Sequence, residues 1–255
     1  MPGKSPLKSK PLRNPGESSD RQLQDIVYDK VMPYLVFAAI SAVVAVLEWW
    51  RWYSQMPPSP WLFTTVAVLA LAISLWKFQR ALRLTTRIKL GRDGEKAVGQ
   101  FLERLRESGA QVFHDIPADG FNLDHVVVHE SGLYVIETKM LSKPGRGEAK
   151  LLYDGEHVSK NGMRPDRNPV TQVRAAGKWL ADLVRESTGL KFPVRAVVVY
   201  PGWFIEATAE AKASDVWVLN PKALPAFISN SAAHLSSEEV KLCSYHLSRY
   251  IRGSG

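Results

Sequence analysis

The chain has 255 residues, of which 45% are hydrophobic, and a formal net charge of +8. Its single cysteine excludes a disulfide within the chain and argues against a cysteine-rich zinc site. The length is enough for one folded domain with a sizeable core, in addition to an N-terminal part of different composition.

The N-terminal part has the composition of a membrane anchor. Residues 1–30 are rich in proline and charge and predict a disordered tail. Residues 31–47 and 61–76 contain no charged side chain and are flanked by tryptophans, so each approaches the roughly 20 apolar residues that cross a bilayer. We therefore predict a hairpin of two transmembrane helices over residues 31–76. The alternative is a pair of buried helices in a soluble protein, because both runs are slightly short.

The positive charge is concentrated around this hairpin. Residues 1–92 hold 13 Lys and Arg against 5 Asp and Glu, whereas the rest of the chain is neutral. Basic residues favour the cytoplasmic side of a membrane, so we predict a multi-pass protein of the cell (inner) membrane whose N-terminus and C-terminal domain are cytoplasmic. Residues 77–90 predict a basic amphipathic helix that continues the second span. The overall basicity is therefore a signal of membrane topology and poor evidence for nucleic-acid binding.

Residues 91–255 predict one α/β domain with a mixed central sheet and flanking helices. Apolar residues at helical spacing predict a first helix over residues 93–106. Asn168-Pro169 begins a second helix, and Ser236 with Glu239 has the capping-box pattern of a last one. Strands are predicted at residues 111–115, 122–129, 133–140, 150–153, 157–160, 194–200 and 216–219.

Three charged residues define the candidate site. Glu137 and Lys139 are two apart in a strand-like run, so their side chains point to the same face, and Asp124 lies on the neighbouring predicted strand. Carboxylate oxygens are ligands that Mg²⁺ prefers, and a divalent cation can polarise a phosphodiester and activate water. Lys139 could then stabilise charge on the phosphate or hold the attacking water. The alternative is a structural salt bridge between Asp124 and Lys139.

Two further polar residues are expected near this triad. Glu95 lies on the apolar face of the first helix and points toward the sheet, and Gly91 and Gly94 beside it would permit close approach of a neighbour or a phosphate. Gln172, in the first turn of the second helix, could orient water or a phosphate. The structural alternatives are a first-turn glutamate stabilised by the helix dipole and a solvated amide.

Other polar residues of these strands are assigned structural roles. His125 and His129 alternate with Asp124 and therefore face away from it, which makes them poor ligands for the same metal. Asp115 and Asp119 are interpreted as turn residues before Gly120.

Four segments resemble the successive motifs of the nuclease-related domain, usually called NERD. They are Gly91-Arg92-Asp93-Gly94-Glu95, Asn122-Leu123-Asp124-His125-Val126-Val127-Val128, Gly132-Leu133-Tyr134-Val135-Ile136-Glu137-Thr138-Lys139 and Asn168-Pro169-Val170-Thr171-Gln172. The similarity extends from Gly91 to Tyr200.

That family is taken to be a branch of the PD-(D/E)xK nuclease superfamily. The resemblance implies a restriction-endonuclease-like core, a Mg²⁺ or Mn²⁺ ion and hydrolysis of phosphodiester bonds, with DNA as the expected substrate of an endo- or exonuclease. Leu123 stands where the superfamily has a proline, which only shapes the end of the strand. Membership implies a fold more strongly than an activity. The resemblance assigns catalytic roles to Glu95, Asp124, Glu137, Lys139 and Gln172, and metal ligation to Asp124, Glu137 and Glu95.

The segment after Glu137 is locally basic. From residue 139 to residue 178 there are 9 Lys and Arg against 4 Asp and Glu, in a domain that is neutral as a whole. A phosphate backbone would be attracted to such a surface. The candidate nucleic-acid-binding residues are Lys143, Arg146, Lys150, Arg164, Arg167 and Arg174.

Three functional hypotheses follow. The leading one is a membrane-anchored, divalent-metal-dependent nuclease or DNA-processing enzyme that faces the cytoplasm. The second is a non-catalytic module, tethered to the membrane, that binds nucleic acid or an acidic protein partner. The third makes the tail and hairpin an anchor for other envelope proteins, with the domain as a scaffold.

Overall fold

A computed structural model of the chain describes residues 12–55, 60–143 and 148–253. The chain divides into two compact units, Ser18–Leu90 and a second unit that joins Gly91–Gly255 to the residues before Ser18. The first unit is helical, and the second contains a mixed sheet with flanking helices, which confirms the predicted fold class.

The helices are α1 (Glu17–Asp25), α2 (Met32–Tyr53), α3 (Pro60–Leu102), α4 (Pro169–Thr188), α5 (Ala209–Lys212), α6 (Leu224–Ser229) and α7 (Ser237–Gly253). A π-helical segment at Ile26–Val31 joins α1 to α2, and 3₁₀ turns occupy Glu103–Ser108 and Pro221–Ala223. The strands are β1 (Gln111–Ala118), β2 (Phe121–His129), β3 (Gly132–Thr138), β4 (Lys150–Tyr153), β5 (Val158–Ser159), β6 (Val194–Val199), β7 (Phe204–Ala207) and β8 (Val216–Leu219).

The helical unit contains long apolar helices. Over the described residues, the continuous helical stretches Glu17–Tyr53 and Pro60–Ser108 are long and apolar enough to cross a membrane. Only 6% and 11% of their apolar 18-residue segments are buried. Side chains join α2 to α3, because Ser74 donates a hydrogen bond to the Tyr34 carbonyl and the Trp49 indole donates one to Thr64. Helices of this length with exposed apolar surfaces can span a bilayer.

Helix α1 lies in the segment that composition predicted to be disordered, so the structure differs from that prediction from Glu17 onward. Residues 1–11 lie outside the described part of the chain. The physical reason for the helix is a reciprocal pair of hydrogen bonds, in which the Asn14 N–H donates to the Glu17 carboxylate and the Glu17 N–H donates to the Asn14 carbonyl. This pairing resembles a capping box and satisfies backbone groups at a helix start.

The central sheet has the strand order β1-β2-β3-β6-β8. Strands β1, β2 and β3 pair antiparallel, whereas β3, β6 and β8 pair parallel, so β3 lies where the two halves meet. Every residue of β3 is buried, as its apolar run predicted. Helices α4 and α7 cover one face of the sheet, and α3 and α6 cover the other.

Two predicted boundaries need correction. The helix predicted over residues 93–106 is not a separate element, because α3 continues through Gly91 to Leu102 and ends in a 3₁₀ turn closed by Gly109 at φ +87°. Glycine inside a helix costs only about 1 kcal/mol, so it need not end one. The hairpin of β4 and β5, predicted as peripheral, belongs to a second sheet of order β5-β4-β7. Strand β7 was missed because it is short and largely exposed.

The histidines of β1 and β2 form a buried chain of hydrogen bonds. His125 is fully buried and its Nδ1 lies 2.9 Å from Nδ1 of His114, whose Nε2 lies 2.8 Å from the Glu103 carboxylate. Because a carboxylate only accepts, His114 Nε2–H donates to Glu103, and His114 Nδ1 accepts from His125 Nδ1–H. Burial lowers the pKa of both imidazoles, which keeps them neutral. These contacts agree with the packing role predicted for His125.

The start of α4 carries a first testable prediction. Asn168 Oδ1 accepts the Val170 N–H at 3.0 Å, and Asn168 Nδ2 donates to the Glu156 carbonyl at 2.8 Å. We expect Asn168→Ala to lower the free energy of unfolding by about 1–2 kcal/mol, because it removes the helix cap and the loop contact. Asn168→Asp keeps the cap acceptor and should lose less. Thermal unfolding of the full-length chain, followed by near-ultraviolet circular dichroism, measures both. Equal losses would contradict the capping role.

Candidate functional site

Strand register brings two carboxylates together at the end of β3. The paired residues of β2 and β3 run from His129 with Gly132 to His125 with Ile136. Asp124 and Glu137 are the next residues of the two strands, beyond the last of these pairs. The Glu137 carboxylate raises the pKa of Asp124, so the two carboxylates lie close together. Glu137 lies toward α4, because it accepts a hydrogen bond from Gln172 in the first turn of that helix.

Glu137 is the centre of a closed group of three side chains. It is 6% exposed, and its Oε1 accepts from Lys139 Nζ at 2.6 Å and from Gln172 Nε2 at 2.8 Å. Lys139 Nζ also donates to Gln172 Oε1 at 3.0 Å. The lysine ion pair is thus made with Glu137, whereas the structural alternative considered from sequence paired it with Asp124. Gln172, on the first turn of α4, bonds both partners and fixes their separation.

Asp124 is held by backbone and surrounded by like charge. Its Oδ2 accepts the N–H of Thr138 at 2.7 Å, at the point where the β2–β3 ladder ends. Burial raises the pKa of Asp124 well above its ordinary value, and the neighbouring carboxylates of Glu137 and Glu95 raise it further. Glu95 belongs to α3, which covers the opposite face of the sheet, so the three carboxylates approach from three elements.

These carboxylates are the residues that could hold a divalent cation. Their oxygens have the chemistry of a Mg²⁺ or Mn²⁺ site, and a cation held by Asp124 and Glu137 would offset both the burial and the repulsion that raise the Asp124 pKa. As the side chains stand, no group of three or more His, Cys, Asp or Glu within the described residues is arranged to enclose a metal ion. Glu137 is instead compensated by the Lys139 ammonium.

Gly94 allows the site strand to approach α3. A Cβ built on Gly94 would lie 2.1 Å from Cγ and 2.5 Å from Sδ of Met140, the residue after Lys139. The close approach of a neighbour that the sequence predicted for this glycine is therefore present. At Gly91 a built Cβ meets nothing within 4 Å, so no side chain or backbone of the described residues approaches it closely.

The predicted nucleic-acid-binding residues within the described part of the chain have different surroundings. Lys150 pairs with Glu206 at 2.9 Å, and Arg174 pairs with both Asp215 and Glu156. The charges of these two are therefore already compensated. Lys143 packs against Gly202, whereas Arg164 and Arg167 are exposed and line a cavity beside Lys139. Arg146 lies outside the described residues.

Asp115 is a residue that sequence reasoning missed. It was assigned to a turn, but it lies in β1, is 3% exposed and has a left-handed backbone at φ +49°. Its carboxylate accepts from Asn122 Nδ2 at 3.1 Å and from Arg13 at 3.4 Å. The pairing of β1 with β2 continues on either side of it, with His114 opposite His125 and Ile116 opposite Leu123. No local pattern indicates the contacts of Asp115, because Arg13 and Asn122 reach its carboxylate only in the folded chain.

Tyr200 was also missed. It follows β6 directly and is 3% exposed, and burial together with the Glu137 carboxylate raises the pKa of its hydroxyl. The sequence did carry a signal, since parallel strands such as β3 and β6 end at the same edge of a sheet. A polar residue just after a buried Val-rich strand is therefore a candidate neighbour of Lys139.

Comparisons with known proteins support the domain assignment. Residues 90–201 match the nuclease-related domain (NERD) family, which confirms the resemblance drawn from the four motif segments. No curated protein sequence matches the chain. The crystal structure of protein VC1899 from Vibrio cholerae matches with 14% identity and a TM-score of 0.30, over 96% of this chain and 59% of that one. The chain thus spans about three fifths of that protein, and a similarity at this level carries no conclusion about function.

The contact between Gly94 and Met140 gives a second testable prediction. We expect Gly94→Ala to destabilise the protein by about 1–3 kcal/mol, because the added methyl group displaces Met140 and strains the strand end that carries Lys139. Gly91→Ala is the matched control and should be neutral or stabilise by up to about 1 kcal/mol, since its site is open. Thermal unfolding measures both. Adding Met140→Ala should recover much of the loss, and no recovery would place the strain elsewhere.

Proposed function

We propose that the nuclease-related domain at residues 90–201 makes this chain a divalent-metal-dependent nuclease that hydrolyses phosphodiester bonds, with DNA as the expected substrate. The observation that carries the proposal is the joint placement of Glu137, Lys139 and Gln172 beside Asp124. A carboxylate pair with a lysine ammonium at the same strand end has the chemistry that phosphodiester hydrolysis requires.

Each residue then has a distinct task. A cation held by Asp124 and Glu137, with Glu95 near them, would supply phosphate polarisation and an activated water. The Lys139 ammonium, a compact charge that is one third exposed, can contact a phosphate oxygen and stabilise the negative charge that develops there. Gln172 orients Lys139 and Glu137 through its amide group, and the Thr138 N–H orients Asp124.

A second candidate function is favoured by one contact. Lys139 Nζ lies 2.6 Å from Glu137 Oε1, so the ammonium already compensates the carboxylate without a metal. A domain that keeps this arrangement would bind nucleic acid or an acidic protein partner without cutting it. Salt-sensitive binding that survives Glu137→Gln, with no cleavage under any condition, would support this function.

Membrane anchoring is the other part of the proposal. The long apolar helical stretches that contain α2 and α3 support it by their length and exposed surface. The basic residues that flank the apolar runs support an orientation with the N-terminus and the nuclease-related domain in the cytoplasm. The enzyme would then act on nucleic acid close to the cytoplasmic face of the inner membrane.

Cleavage by site variants tests the nuclease proposal. Detergent-solubilised full-length chain should cut nucleic acid in the presence of Mg²⁺ or Mn²⁺ and not in EDTA. Asp124→Asn and Lys139→Met should each lower the cleavage rate about 100-fold or more, because the first removes a carboxylate that would hold the cation and the second removes the ammonium at the phosphate. The measurement is gel-resolved cleavage of linear, branched and single-stranded DNA and of RNA.

The controls are variants of the same residue types at exposed positions. Asp119→Asn and Lys191→Met change exposed side chains outside the site and should retain the wild-type rate. Cleavage that persists in both site variants would contradict the residue assignment. If folded wild-type protein cuts none of the substrates, the non-catalytic function replaces the nuclease.

Cysteine labelling tests the topology. Gln55 lies between the two apolar helices and is exposed, so Gln55→Cys should react in intact cells with a membrane-impermeant maleimide. Glu186→Cys, exposed on α4, should react only after the cells are permeabilised. The native Cys243 is fully buried and gives a low background. Labelling of Glu186→Cys in intact cells would contradict a cytoplasmic domain.

A further inference from the structure

A cavity of about 250 Å³ adjoins the candidate site. Lys139 is shared by the site and the cavity, because it lines the cavity while its ammonium donates a hydrogen bond to Glu137. The walls come from β4, β5, the segment between β5 and α4, and the first residue of α4. A nucleotide whose phosphate contacts the Lys139 ammonium could therefore place its base in the cavity.

The inner walls of the cavity are apolar. Leu151 and Val158 are buried at 1% and 2% exposure, and Tyr200 at 3%. Met163 is 69% exposed, so it stands at the mouth and offers a polarisable thioether surface. Aromatic rings pack well against such surfaces.

The rim of the cavity is cationic. Besides Lys139, it carries Lys160, Arg164 and Arg167, and no Asp or Glu lines it within the described residues. Lys160 is fixed, because its ammonium donates to the Ser142 carbonyl at 3.1 Å and lies 4.9 Å above the Trp203 ring. Arg164 forms a salt bridge with Asp154 at 3.5 Å. Both side chains are exposed, so this ion pair contributes little stability and leaves the arginine available to a ligand.

We propose that this cavity binds one unpaired nucleobase next to the phosphate held by Lys139, so that the substrate class is single-stranded nucleic acid or an unpaired end. The inference rests on the proposed function for its choice of a nucleic acid. Apolar walls accept the base, and Arg164 and Arg167 at the rim accept the flanking phosphates.

The size of the cavity argues for a single unpaired base. Its volume is below the roughly 300–1,000 Å³ of pockets for drug-sized ligands, which suits one base better than a stacked base pair. A base inside a duplex can reach such a pocket only by leaving its stack, which costs a few kcal/mol in a paired strand and least in one that is already single-stranded. The cavity therefore discriminates by strand state, and base identity is secondary.

Binding in EDTA tests the pocket without any cleavage. Fluorescence anisotropy of the full-length chain would compare a labelled single-stranded oligonucleotide, its duplex and a fully abasic oligonucleotide of the same length. Wild-type protein should bind the single strand about tenfold more tightly than the abasic strand. Met163→Ala should remove most of this difference and leave duplex and abasic binding unchanged, whereas Met163→Leu should restore it.

Two controls separate the pocket from general charge. Leu152→Ala removes an exposed side chain of β4 that does not line the cavity, and it should bind like the wild type. Arg167→Ala should weaken all three ligands alike. The pocket proposal would be wrong if wild-type protein bound the abasic strand as tightly as the single strand. It would also be wrong if Met163→Ala kept the full difference in affinity between these two ligands.

The outcomes also separate this inference from the proposed function. Base-dependent binding without cleavage of any substrate would support the nucleobase pocket and contradict the nuclease function. Equal cleavage of duplex and single strands, without base-dependent binding, would support the nuclease function and contradict the nucleobase pocket.

Discussion

The ladder of β2 and β3 ends at the pair of His125 with Ile136, and the Asp124 and Glu137 carboxylates lie close together beside that end. Burial raises the pKa of Asp124 well above its ordinary value, and repulsion by the Glu137 and Glu95 carboxylates raises it further. The surrounding contacts compensate for that repulsion. The Thr138 N–H donates to Asp124, while Lys139 and Gln172 donate to Glu137. A fold with no use for these charges would be simpler with apolar residues there, since a buried ion pair is weak evidence for stability.

The fold delivers these groups from separate elements to one edge of the sheet. Strands β3 and β6 are parallel, so their carboxyl ends coincide and bring Lys139 beside Tyr200. Helix α4 begins at the same edge, where its Asn168 cap orients the first turn that carries Gln172. In open sheets with parallel strands, ligands bind outside the carboxyl ends of the strands. The cavity next to Lys139 occupies that position.

Charge in this molecule has three different roles. The excess of basic residues belongs to the N-terminal part, where it flanks the apolar runs. Within the α/β unit, Lys150 and Arg174 are committed to ion pairs that hold neighbouring loops and strands. Arg164 and Arg167 remain exposed beside the cavity. A count of charges along the sequence cannot separate these roles, because only the tertiary structure determines which acidic residue pairs with which basic residue.

The sequence by itself determined the class of the fold, the position of most strands, the start of α4 and the motif residues Glu95, Asp124, Glu137, Lys139 and Gln172. Local patterns carry this information, since a buried strand needs an apolar run and a helix start needs a cap. Tertiary structure decided what is non-local. It alone paired Lys139 with Glu137, joined Asp115 to Asn122 and Arg13, linked His125 to His114 and formed the cavity from β4, β5 and the start of α4. These features depend on strand register and on contacts between residues far apart in the chain, and no periodicity in the sequence encodes either one.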